Sequence, residues 1–221
     1  MSVPQSAKFA PPMDPFSMGD FLKRKPQLTL GMFHAFRDER PKEEKWELID
    51  GVPMMMPPPS LVHQRISRNL ETMLNQRLAM VRPEWMADRE IGVLLPDDDR
   101  YNPEPDVTVI DTSIDLGQIY ATRFFFVAEV LSDSNRPEQH AGSDKPIVLA
   151  AKLEYYRRHE ECRAVLFVRQ DRNEATLYAR TNGFEPVSLT DPGDAIVLPE
   201  VGNIGPLREL YRHTPLFPKA G

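Results

Sequence analysis

Residues 124–135 read FFFVAEVLSDSN. From Phe124 to Leu131 the run is apolar except for one carboxylate, Glu129. A run this short and this apolar predicts a strand buried on both faces of a sheet. A lone carboxylate buried there costs several kcal/mol or shifts its pKa until it is neutral. Glu129 therefore needs a partner: a lysine, a metal ion, or both.

The chain around this strand has 221 residues, enough for one α/β domain with its own core. The one cysteine, Cys162, excludes an intrachain disulfide and a cysteine-rich zinc site. No apolar stretch reaches the length of about 18 residues that a membrane helix needs. The N-terminus lacks a basic-then-apolar signal pattern. These features predict a cytoplasmic protein with no membrane partner. The net charge of −6 argues against non-specific nucleic-acid binding through clustered Lys and Arg. It is compatible with a metal that offsets acidic residues locally.

Residues 1–27 are rich in proline and predict an N-terminal arm, with a short helix over 17–25; residues 28–221 are expected to form a single domain. Helical spacing covers Thr29–Arg40. Trp46–Val52 predicts a strand entering a turn at Asp50-Gly51, with Met54–Met56 as the return strand. Ser60 is a good N-cap for an amphipathic helix running to about Val81. Strands are expected over 87–95 and 106–110, and the opening segment forms the next. A helix over 143–159 follows, then strands over 163–169, 175–180, 185–189 and 195–198, and a short helix over 204–211. Strands at the centre with flanking helices give an α/β (α+β) class with a mixed sheet.

Three side chains carry the chemistry. Asp106 stands at the start of its strand and shares a face with Thr108. Glu129 shares a face with Phe125, Val127 and Leu131. Lys152 lies on a helical arc with Val148, Leu149, Tyr155 and Tyr156, away from Glu154, Arg157 and Arg158. Two adjacent carboxylates repel, and a divalent cation relieves the repulsion. Hard oxygen ligands select Mg²⁺ or Mn²⁺. Two metal-binding acids with a supporting lysine point to metal-assisted phosphodiester hydrolysis. The competing reading is a buried structural ion pair.

The series Trp46-Glu47-Leu48-Ile49-Asp50-Gly51, His63, Glu104-Pro105-Asp106-Val107, Ala128-Glu129-Val130-Leu131-Ser132, and Lys152 with Tyr156 resembles the Uma family of restriction endonucleases, in the PD-(D/E)XK nuclease superfamily. The likeness covers roughly residues 28 to 212. It implies a restriction-endonuclease-like core, a central mixed β-sheet flanked by helices. It also implies a Mg²⁺-dependent endonuclease acting on DNA, with Asp106 and Glu129 as metal ligands. The superfamily's usual lysine position, two residues after the second acid, is Leu131 here; Lys152 on the following helix matches the relocated lysine. Glu47 matches an early glutamate that binds metal or orients water, and His63 a histidine opening the long helix. Asp144 lies two turns before Lys152, off the family's spacing. A homodimer suits the cutting of two strands. The alternative is a catalytically degenerate protein that keeps the fold as a binding or regulatory module.

Overall fold

A two-residue turn sets the first hairpin. Asp50 and Gly51 both have positive φ, 48° and 76°, the backbone a type I′ turn requires. Around Gly51 the chain is tight: a Cβ there would stand 2.9 Å from Gln27 Oε1. The computed structural model describes residues 27–132 and 145–217. The expected helix over 17–25, and all of the arm except Gln27, lie outside these residues.

In chain order the elements are α1 (Leu30–Asp38), β1 (Lys45–Ile49), β2 (Val52–Met56), α2 (Leu61–Val81), β3 (Trp85–Asp88), β4 (Gly92–Val93), β5 (Val107–Asp111), β6 (Tyr120–Ala121), β7 (Phe126–Leu131), α3 (Lys145–Arg158), β8 (Ala164–Arg169), β9 (Ala175–Ala179), β10 (Pro186–Leu189), β11 (Ala195–Leu198) and β12 (Gly202–Pro206). Short 3-10 turns span Arg180–Asn182 and Leu207–Tyr211. A six-stranded sheet runs in the order β10-β9-β8-β7-β5-β3. Its pairs are antiparallel except β7 with β8. A parallel pair needs a long crossover, and α3 lies in that connection. The fold is mixed α/β with a central mixed sheet, as expected.

Each face of this sheet has its own core. On one side α2 sets Ile66, Leu70, Leu74 and Leu78 against Val107, Val109, Ala128 and Val130. On the other, Tyr155 and Tyr156 of α3 pack with Val127, Leu131, Val165 and Phe167. Period-two alternation along β7 divides its side chains between the two layers, which is why the strand is apolar apart from Glu129. Burying one side chain such as Leu70 contributes about 1.5–3 kcal/mol. The N-cap of α2 is Ser60, whose side chain accepts from the His63 N–H.

Several expectations are corrected. Phe125 does not share the Glu129 face. It precedes β7, where strict alternation has not begun, and stacks on Trp85 in the α2-side core with centroids 4.0 Å apart. The single strand expected over 87–95 is two: Glu90, at φ 57°, breaks it, and β4 pairs in parallel with β6. The closing helix over 204–211 is instead β12 followed by a 3-10 turn.

Candidate active site

β5 and β7 pair antiparallel, with Val107 opposite Ala128. One step further along this register sets Asp106 opposite Glu129. By alternation both acids lie on the α3 side of the sheet, with Thr108 and Val127. Asp106 is fixed at each oxygen. His63 Nε2 in the first turn of α2 donates to Oδ1 at 2.8 Å, and the Val130 N–H donates to Oδ2 at 2.6 Å.

Glu129 is 8% exposed, and Lys152 and Glu47 are still more deeply buried. Lys152 Nζ lies 3.0 Å from Glu129 Oε1 and 2.6 Å from Glu47 Oε2. The Glu47 contact is an ion pair off hydrogen-bond geometry, so Oε2 has no hydrogen-bond partner among the described residues. The Tyr156 hydroxyl donates to Glu129 Oε1 at 2.6 Å. Among the described residues, the hydrogen bonds to Glu129 end at Oε1, and Oε2 is left for the cavity. Glu47 is held in turn by the Glu104 N–H at 3.3 Å from Oε1.

The electrostatics follow from this burial. Desolvation pushes the Glu129 carboxyl up to about 7; Lys152 opposes the shift, and the charges of Asp106 and Glu47 add to it. Desolvation alone would lower the Lys152 pKa, but the two carboxylates reverse that and raise it above its ordinary value. The Tyr156 phenol is pushed well above its usual range by burial and then by the same acids, so it stays a donor.

These groups line one cavity of about 400 Å³. Its lining includes the buried Glu129, Glu47 and Lys152 with Asp106, and His63, Ser60 and Gln170. With the three acids ionised, one ammonium leaves two negative charges uncompensated. Among the described residues no group of three or more His, Cys, Asp or Glu is gathered to enclose a metal. Mg²⁺ does not require such a cage: it commonly takes one or two carboxylates, with waters and substrate phosphates completing the shell. Asp106 and Glu129 Oε2, which accepts none of the hydrogen bonds found among the described residues, fit that pattern.

The sequence-predicted residues Asp106, Glu129, Lys152, Glu47 and His63 thus meet in one place. Asp144 lies outside the described residues. Glu47 is a buried partner of Lys152. Tyr156 and Glu104 are contacts whose roles sequence reasoning missed. Tyr156 sits one helical turn after Lys152, a spacing that puts both on one face and that could have signalled its role. Several surface arginines are engaged by carboxylates. Arg158 pairs with Asp98 at 2.7 Å, Arg163 with Glu200 at 2.5 Å and Arg172 with Glu174 at 2.6 Å. In the acidic run Asp97-Asp98-Asp99, Asp98 also accepts from the Arg100 N–H at 3.0 Å.

Among the described residues no helix is long and apolar enough to cross a membrane. A family model, Uma2, described as "Putative restriction endonuclease", matches residues 31–205. A search of curated proteins finds no match. Among solved structures, the chain is similar to a protein from Anabaena variabilis ATCC 29413, titled "a putative nuclease belonging to DUF820". The TM-score is 0.60 at 17% identity, covering 83% of this chain and 97% of that one. At that identity the likeness shows a shared fold.

Proposed function

We propose, because the chain belongs to the Uma2 family of restriction endonucleases, that it is a metal-dependent endonuclease that hydrolyses DNA phosphodiester bonds at this cavity. The observation that carries the reading is the meeting of Asp106 and Glu129, from neighbouring strands, with Lys152 from α3. Asp106 and Glu129 would hold Mg²⁺ or Mn²⁺. Such an ion, when bound, supplies positive charge to the phosphate oxygens and makes nearby water more acidic.

The chain's own groups do the rest. His63 and the Val130 N–H orient Asp106. Tyr156 and Lys152 hold Glu129 by Oε1 and turn Oε2 toward the substrate. Lys152 adds a fixed positive charge beside the phosphate as negative charge builds up. Glu47 keeps Lys152 in place and charged. In the overall reaction a water oxygen bonds to phosphorus and one P–O ester bond breaks. The proton lost by water balances the one the leaving oxygen takes up, giving a phosphomonoester and a hydroxyl end. The lone buried thiol suits a reducing cytoplasm.

Lys152 is held between two carboxylates, which favours one rival: a non-cleaving member whose ion pairs serve stability alone. Plasmid cleavage with Mg²⁺ or Mn²⁺ separates the two. The wild type is expected to nick or linearise plasmid, and Glu129→Gln to slow this by about 10²–10³-fold with unchanged circular dichroism. Full metal-dependent cutting by the variant would remove Glu129 from the mechanism.

A further inference from the structure

One wall of the cavity is not used by the chemistry above. In the β1–β2 hairpin, Glu47 pairs with Met54 and Lys45 with Met56. Cross-strand partners share a face, so Met54 and Met56 stand on the side that carries Glu47. Both line the cavity, and Pro57 to Pro59 extend the wall. Gln170 also lines the cavity. The hydrogen bond to its side chain among the described residues ends at Oε1, donated by the Ser60 hydroxyl at 2.9 Å. The amide is thereby fixed, with its nitrogen turned from Ser60.

The cavity joins an apolar, polarisable wall and an amide to a set of acidic groups. Glu47, Glu90, Glu104, Asp106 and Glu129 outnumber Lys45 and Lys152 around it. Such walls repel a continuous run of phosphates. A volume of about 400 Å³ suits a small molecule. A paired duplex keeps its bases stacked inside the helix and offers no base face to a wall. An unpaired nucleotide does, and thioether sulfur packs well against aromatic rings.

We propose that this cavity is a nucleotide subsite, in which the base of one unpaired DNA nucleotide packs on Met54 and Met56 while its phosphate faces Asp106 and Glu129. The substrate is then single-stranded or locally unpaired DNA rather than intact duplex. The inference rests on the endonuclease reading for the phosphate's position.

The test uses the full chain and a 12-nucleotide strand carrying one 2-aminopurine, free or annealed. Binding is measured in Ca²⁺ and cleavage in Mn²⁺. The single strand is expected to bind and to be cut at least ten-fold better than the duplex, with a change in 2-aminopurine fluorescence on binding. The double variant Met54→Ala, Met56→Ala should weaken single-strand binding at least five-fold, with the thermal midpoint and Mn²⁺ affinity kept. Equal binding of both substrates, or no loss in the folded variant, overturns the subsite. Should the variant not fold, the wild-type preference alone decides. Rapid cutting of duplex without preference keeps the nuclease and removes the subsite. Methionine-dependent strand binding without any cleavage does the reverse.

Discussion

Lys152 is the residue on which the site's electrostatics turn. Its removal leaves Glu47 and Glu129 buried beside one another with no cation. Breaking a buried pair in this way costs about 3–5 kcal/mol. Lys152→Met should therefore lower stability by that amount in urea unfolding at pH 7, as well as abolish cleavage; an unchanged midpoint would show that the pair adds nothing to the fold. Cys162 makes a second prediction at this scale. It is fully buried, and burial pushes its thiol up to about 12, so thiolate at pH 8 is scarce. Ellman's reagent should label the native protein only as fast as it unfolds, and stoichiometric labelling within seconds would contradict the packing. At the residue level the sequence was legible where an oddity stood out, as a charge among aromatics did at Glu129. Tyr156 and Glu104 were not, because a buried tyrosine and a loop glutamate are common and their partners come from distant elements.

Among the elements, the β1–β2 hairpin matters most, because it carries Glu47 to Lys152. Gly51 holds its turn at φ 76°, and a side chain there meets both backbone strain and Gln27. Gly51→Ala should cost about 1–2 kcal/mol and lower activity by displacing β1. A thermal melt and a cleavage rate check both. On α2, Leu70 is fully buried in the core, so Leu70→Ala should cost about 2–5 kcal/mol in urea unfolding, and a cost under 1 kcal/mol would mean the α2 layer is not packed as described. Elements with strong local signals were readable: the Asp50-Gly51 turn, the Ser60 cap and the apolar strands β7 and β8. The break at Glu90 was not, since a positive φ at a glutamate has no mark in the sequence. Nor was β12, whose Gly202, Asn203, Gly205 and Pro206 are poor strand formers and are held by pairing with β11.

At the scale of the whole molecule, charge and topology work together. The chain carries a net charge of −6, and among the described residues arginines such as Arg158, Arg163, Arg172 and Arg180 are engaged by carboxylates and carbonyls of the surface. On the proposed reading, a bound cation supplies attraction to the polyanion at the acidic cavity. The sheet order brings β5 beside β7 and returns α3 over them, so three sequence-distant groups converge only once the chain has folded. Order and spacing of motifs made that convergence predictable in outline, while the depth of the cavity and its methionine wall needed coordinates. The most direct measurement is a calorimetric titration of Mn²⁺ into the wild type and into Asp106→Ala. Saturable binding to the wild type is expected, with at least ten-fold weaker binding to a variant that keeps its thermal midpoint; equal binding to both, or none to the wild type, would remove Asp106 as a metal ligand.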